Sequence, residues 1–241
     1  MNDNPMTTDR VWYPVNLDIS GRLCLVVGGG IVAARKISAL LLSRAVVRVV
    51  SPESCGKVRR LAEEGRIELL ERPFQGDDLA GVFLVFAATN SPQVQNRIAE
   101  QARRRGILLN SAENPGLSSF LVPARVRRGD FLLAVSTGGA SPALSALIKR
   151  KLALQFGPEY ALLVHLLAGV RSKVVQGGER SSENRTLFQD LVALPVLEKI
   201  RERDWDGLRV LLKSVLPAGV DGDLLVRELA AGERSDRREE R

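Results

Sequence analysis

Leu23-Cys24-Leu25-Val26-Val27-Gly28-Gly29-Gly30-Ile31-Val32-Ala33-Ala34-Arg35-Lys36 is the stretch that decides the fold. Its first five residues are an apolar, β-branched run of strand length, and Val32–Ser43 continues with helical spacing. Between them lies Gly28-x-Gly30-x-x-Ala33. Glycines between a strand and a helix are the setting in which a helix N-terminus receives a dinucleotide pyrophosphate. Gly28 permits the tight turn, Gly30 lets the backbone approach the phosphates, and Ala33 lets helix and strand pack closely. The unpaired N–H groups of the first helical turn then face the anion. Gly28, Gly29 and Gly30 are therefore candidate cofactor-binding residues.

Outward from this turn the same grammar repeats. Val46–Val50, Ile67–Glu71, Phe83–Ala87 and Leu108–Ser111 read as strands, and Ser54–Glu64 and Pro92–Arg105 as helices. The alternation predicts an α/β, Rossmann-type parallel sheet with helices on both faces. After Pro115 the pattern changes. Phe120–Val126 and Phe131–Ser136 read as a β-hairpin closed by Arg127-Arg128-Gly129-Asp130. Ser141-Pro142 then opens a run that is helical to about Ala231, with breaks at Gly157-Pro158, Gly177-Gly178, Pro195 and Pro217 through Gly222. The expected organisation is a nucleotide-binding domain over 1–113, a hairpin element over 114–146, a helical domain over 147–232 and a charged, disordered tail over 233–241.

Composition narrows the function classes. The 241 residues carry 35 Lys+Arg and 28 Asp+Glu, a net charge of +7, but the bases are interleaved with acids and aromatics are only 5%. That leaves little for base stacking, and no helix-turn-helix or zinc-finger string is present, so nucleic acid is not the expected partner. No apolar run approaches the length of a membrane span. The start, MNDNPMTTDR, lacks the order of a secretory signal, and Cys24 and Cys55 are too few for a disulfide framework, so the expected location is cytoplasmic. Two strands alone are marginally stable and leave free edges, so the hairpin predicts a homodimer.

Other candidates lie beyond the predicted strand ends, where open α/β sheets bind ligands. Ser51 stands where a ribose-binding acid is usual, which leaves NAD versus NADP open; Glu53, slightly later, either serves a ribose hydroxyl or complements a helix dipole. Thr89, in Ala87-Ala88-Thr89-Asn90, could floor the nicotinamide ribose or simply make a compact turn. Glu113 falls on the same edge, as a proton acceptor or an exposed loop acid. His165, in an apolar run without nearby Cys or acid, reads as a helix-packed core or domain-interface residue rather than a metal ligand, and no metal site is expected.

The opening string together with Glu71-Arg72-Pro73-Phe74, Ala87-Ala88-Thr89-Asn90, Asn110-Ser111-Ala112-Glu113-Asn114-Pro115, Phe120-Leu121-Val122-Pro123-Ala124 and Val135-Ser136-Thr137-Gly138-Gly139-Ala140-Ser141-Pro142-Ala143 resembles the precorrin-2 dehydrogenase family, the siroheme-synthase type that in some members is also a sirohydrochlorin ferrochelatase. The motifs keep order and approximate spacing from residue 12 to about 155. The resemblance implies a Rossmann-type domain, a dimerisation hairpin, a helical C-terminal domain, and NAD-dependent oxidation of precorrin-2 to sirohydrochlorin in siroheme synthesis. It implies NAD contacts at Ile31, Val32, Glu53 and Ser54. The family's functional aspartate falls at Glu113, a carboxylate displaced by about one carbon–carbon bond, which predicts weak or absent metal insertion. Thr137 stands where some members carry a phosphorylated serine and reads here as a turn residue. Gly138, Gly139 and Ser141, at a Gly-rich turn before a helix, together with Arg125, are candidate binders of the polycarboxylate substrate. Beside a dehydrogenase two alternatives stay open: a bifunctional dehydrogenase and ferrochelatase, and a non-catalytic module that senses NAD(H).

Overall fold

The computed structural model describes residues 10–176 and 181–239, so the break expected at Gly177-Gly178 lies outside the described residues. The chain divides into two compact units, Met1–Val122 with Gly138–Ala140, and Pro123–Thr137 with Ser141–Arg241.

The first unit holds five strands, β1 (Leu23–Val27), β2 (Val46–Val50), β3 (Glu68–Leu70), β4 (Leu84–Ala87) and β5 (Leu108–Ser111), in the order β3-β2-β1-β4-β5. Every pairing is parallel, with Val27 beside both Val50 and Ala87. The unbroken apolar run of β1 follows from its place at the centre. Cys24 and Val26 belong to one buried cluster and Leu25 and Val27 to the other, so alternate side chains fill the two faces of the sheet. Helices α1 (Ile31–Leu42), α2 (Gly56–Glu63) and α3 (Pro92–Arg104) connect the strands. Between β3 and β4 a short 3-10 turn, Gly76–Leu79, replaces a helix. Asp78 fixes it: the carboxylate receives both Arg72 Nη atoms, at 2.6 and 3.0 Å, and the backbone N–H of Gln75 at 2.8 Å. The chain passes from β3 on one side of β1 to β4 on the other, so the topological switch point lies at the C-terminal ends of β1 and β4.

The second unit begins with the antiparallel pair β6 (Ala124–Arg128) and β7 (Phe131–Val135). The hairpin differs from the expected one. Gly129, at φ 56°, takes the left-handed conformation of a two-residue turn with Asp130, so Arg127 and Arg128 stay in the strand. Phe120 is not in the strand either; its ring packs on Phe86 with centroids 5.6 Å apart. Helices α4 (Pro142–Gln155), α5 (Glu159–Gln176), α6 (Ser181–Ala193), α7 (Val196–Glu202), α8 (Trp205–Val215) and α9 (Gly222–Glu239) follow. Leu166 and Val170 of α5, Leu191 of α6, Ile200 of α7, Leu208 and Leu212 of α8 and Val226 of α9 share one core. α9 is helical through Glu239, where the charge-rich composition pointed to disorder; its Glu and Arg residues are good helix formers. Among the described residues no single helix is long and apolar enough to cross a membrane.

Candidate functional site

The three glycines of the β1–α1 turn meet different surroundings. At Gly28, with φ 120°, a Cβ would stand 2.2 Å from the carbonyl oxygen of Ala88. At Gly29 it would stand 2.3 Å from the carbonyl oxygen of Glu53 and 2.5 Å from Ser54 Oγ. At Gly30 it would meet nothing within 4 Å. The first two glycines are therefore demanded by the protein itself, where the β4 and β2 turns press against the β1 turn. Gly30 borders open space. It is also the N-cap of α1, in extended conformation, with no side-chain cap. The first intrahelical bond here runs from Ala34 N–H to Gly30 C=O, which leaves the N–H groups of Ile31, Val32 and Ala33 without a helical partner. No acidic residue stands in that turn. This is a backbone cradle with the positive end of a helix, open on the Gly30 side, and it fits a dinucleotide pyrophosphate.

Around the cradle the expected residues take distinct parts. Ile31 and Val32 are exposed at its lip. Ser51 is buried, and its hydroxyl donates to Glu53 C=O at 2.6 Å, so it shapes the β2–α2 turn. The Glu53 side chain is exposed. Ser54 is buried against Gly29, and its Oγ has no hydrogen-bond partner among the described residues. Thr89 is half-buried at the switch point, its Oγ1 accepting from Ser91 N–H at 3.3 Å.

A polar chain that sequence reading did not single out joins the ends of β4 and β5. Gln95 of α3 is 3% exposed; its Nε2 donates to Thr89 C=O at 2.7 Å and its Oε1 accepts from Ser111 Oγ at 2.9 Å. Ser111 Oγ also accepts from Asn114 N–H, and Ser118 Oγ from Ser111 N–H. The available signal was the Ser91-Pro92 start of α3, which puts Gln95 one turn inside the helix, with the spacing of Ile98, Ala99 and Ala102, which puts it on the buried stripe. These bonds hold the loop that carries Glu113, whose side chain is exposed. Arg10 fastens the far side of that loop, donating to Gly116 C=O and Ser118 C=O.

In the second unit Thr137 is a turn residue: Oγ1 donates to Ser141 C=O and accepts from Ser141 N–H, both at 3.0 Å. Ser141 caps α4, its Oγ accepting from Leu144 N–H at 3.2 Å. With Pro142 lacking an N–H, that helix end is largely satisfied from within. Gly138 and Gly139, in the turn before it, have φ of 64° and 93°. The hairpin arginines divide: Arg128 donates to the C=O groups of Ala153 and Phe156 at the end of α4, Arg127 to Gly129 C=O, and Arg125 to no protein acceptor among the described residues. His165 is exposed on α5 and so outside its core, because the buried stripe of that helix runs through Leu166, Val170 and Val174. Burial pushes the Cys24 thiol up to about 11, against a smaller opposing effect of Arg22, so it is no nucleophile. Among the described residues no group of three or more His, Cys, Asp or Glu could hold a metal ion.

Comparison with known proteins agrees with this geometry. Residues 15–124 match the family described as "Putative NAD(P)-binding", and residues 133–154 the family described as "Sirohaem biosynthesis protein central". The siroheme synthase of Nitrosospira multiformis is 36% identical over 193 residues, covering 78% of this chain and 41% of that protein. That of Thioalkalivibrio sulfidiphilus is 34% identical over 210 residues, covering 87% of this chain and 43% of that protein. The chain thus spans less than half the length of these relatives. The solved structure of "SirC, precorrin-2 dehydrogenase" superposes with a TM-score of 0.66 at 28% identity, covering 80% of this chain and 98% of that one. The chain belongs to the siroheme synthase N-terminal, precorrin-2 dehydrogenase family, with its NAD(P)-binding and sirohaem synthase central domains.

Proposed function

We propose that the chain oxidises precorrin-2 to sirohydrochlorin with NAD⁺ as acceptor, in the cytoplasm. The observation that carries this is the Gly30 cradle, which is open on its ligand side and lies at the switch point of a sheet whose family oxidises this substrate class. Bound NAD⁺ supplies a nicotinamide C4 that accepts the hydride. The protein's residues do the rest. The N–H groups of Ile31, Val32 and Ala33 hold the pyrophosphate, the exposed Glu53 carboxylate is available to the ribose beyond β2, and buried Ser54 backs the Gly29 turn. Ser51 fixes the turn from which they project. Thr89 floors the nicotinamide end, and Glu113 takes the proton released as the substrate loses its hydride, so that one hydride and one proton leave the macrocycle. Gly138, Gly139, Ser141 and Arg125 remain the candidate contacts to the substrate carboxylates, Arg125 the foremost because no protein acceptor engages it among the described residues.

The longer carboxylate at Glu113 makes metal insertion weak or absent in this reading. A homodimer is part of it: α4 buries only Ser145 and leaves Leu144, Leu147 and Leu154 exposed, as β7 leaves Leu132, so these apolar residues lack a cover among the described residues. The deciding assay follows NADH formation from precorrin-2 and Fe²⁺ or Co²⁺ insertion into sirohydrochlorin, with light scattering for mass. NADH formation with little metal insertion by a dimer is expected. NAD⁺ binding without turnover would instead establish a sensing module, and robust metal insertion a bifunctional enzyme.

A further inference from the structure

Lys36 stands in the middle of α1, half-buried, with its ammonium over the sheet rather than in open water. Nζ donates to Asn110 Oδ1 at 3.3 Å and lies 5.0 Å from the centroid of the Phe86 ring. No described carboxylate pairs with it. Asn110, 6% exposed, is itself fixed: its Nδ2 donates to Phe120 C=O at 3.0 Å, which turns its oxygen toward Lys36. Burial lowers the Lys36 pKa and neighbouring Arg35 lowers it further. An ammonium that has lost part of its hydration normally gains a carboxylate in return. Here it gains one long bond to a neutral amide and one aromatic face, and donors remain unused. The fold does not need the charge, since an uncharged stem of the same length would cover Phe86 equally well. Asn110 also begins the Asn110-Ser111-Ala112-Glu113 run, which places the ammonium on the strand that leads into the Glu113 loop.

We propose that Lys36, aimed by Asn110 across Phe86, is an anion-binding site that receives a carboxylate of the tetrapyrrole substrate. The inference rests on the dehydrogenase reading and extends it, because it assigns substrate recognition to the cofactor-binding unit itself. A carboxylate arriving at Nζ supplies the missing counter-charge and uses the free donors, so the desolvation already suffered by the ammonium favours the bound state.

The test uses uroporphyrin, a stable polycarboxylated porphyrin, titrated by fluorescence against the full chain, with NAD⁺ affinity by calorimetry in parallel. Lys36→Met should bind uroporphyrin about tenfold or more weakly, the loss expected for one charge-assisted hydrogen bond. Lys36→Arg, which keeps the charge, should retain most of the affinity, and both variants should bind NAD⁺ as the wild type does. Lys36→Met should also melt no lower than the wild type, since it removes a half-buried unpaired charge. Unchanged uroporphyrin binding by Lys36→Met overturns the inference and leaves the dehydrogenase reading standing if precorrin-2 is still turned over. Loss of NAD⁺ affinity in its place overturns it too, assigning the ammonium to a cofactor phosphate. A wild type that neither binds uroporphyrin nor oxidises precorrin-2 overturns both.

Discussion

Replacing Gly28, Gly29 and Gly30 one at a time with alanine separates what the fold demands from what the ligand demands. In Gly28→Ala the new methyl would lie 2.2 Å from Ala88 O, roughly 1 Å inside contact distance, at a φ of 120° that L-residues rarely adopt. Overpacking against backbone costs about 1–3 kcal/mol and the strained φ about as much again, so a loss of about 3–5 kcal/mol is expected. Gly29→Ala meets Glu53 O at 2.3 Å without the φ penalty, which puts its loss at the lower end, about 2–3 kcal/mol. Gly30→Ala meets nothing within 4 Å, at φ −78°. Its smaller unfolded-state entropy and its poorer capping nearly cancel, so its stability should stay within about 0.5 kcal/mol of the wild type. The orders then reverse for NAD⁺: Gly30→Ala melts like the wild type yet binds the cofactor at least about tenfold more weakly, because its methyl projects into the pyrophosphate's space. Thermal denaturation gives the first ranking and calorimetry the second. A Gly30→Ala variant with wild-type NAD⁺ affinity would refute the cradle, and a Gly28→Ala variant as stable as the wild type would refute the steric account of the turn.

Glu113→Ala should lower kcat for precorrin-2 oxidation roughly a hundred- to ten-thousandfold while melting within about 0.5 kcal/mol of the wild type, as the residue is exposed; an undiminished rate removes Glu113 from the mechanism. Gln95→Leu should cost about 2–3 kcal/mol in denaturant unfolding, because Thr89 C=O and Ser111 Oγ lose a buried partner, and a loss below 0.5 kcal/mol on that approximate scale would count against the polar chain. Burial raises the Asp78 pKa, but the Arg72 hydrogen bonds and the Gln75 N–H outweigh it and hold the carboxyl below its ordinary value. Its contribution is therefore full above the unfolded carboxylate pKa and is lost as pH falls through the depressed folded value, so acid unfolding of the wild type should be steeper than that of Asp78→Asn; parallel curves would dismiss the clip.

Much of the first unit was legible because its signals are local. β1, β2 and β5 keep the bounds read from the sequence, and β1, central and buried on both faces, has no polar residue inside it. The hairpin was legible as a hairpin and misplaced in its bounds. Phe120 carries strand propensity, yet the Phe86 edge was a better partner for it, and a long-range contact of that kind leaves no trace in spacing. The exposure of His165 is hidden in the sequence for a related reason: α5 is apolar on so much of its circumference that spacing does not say which stripe faces the core.

The candidate site divides along the same line. Glycines are read from sequence as a class, but the cause of each is tertiary: Gly28 is set by Ala88 and Gly29 by Glu53, both far along the chain, and only Gly30 is left for a ligand to explain. Ser51 shows the opposite limit. Its position at the end of β2 suggested a ribose contact, and its hydroxyl is engaged by Glu53 C=O two residues on, a turn bond that competes with any ligand. Lys36 carries no signal in the sequence, because a lysine in a helix is ordinary until a buried amide and a ring lie beneath it. Position along a strand thus locates the edge where chemistry occurs, whereas the partner each polar atom has already taken decides which residues on that edge are still available to a substrate.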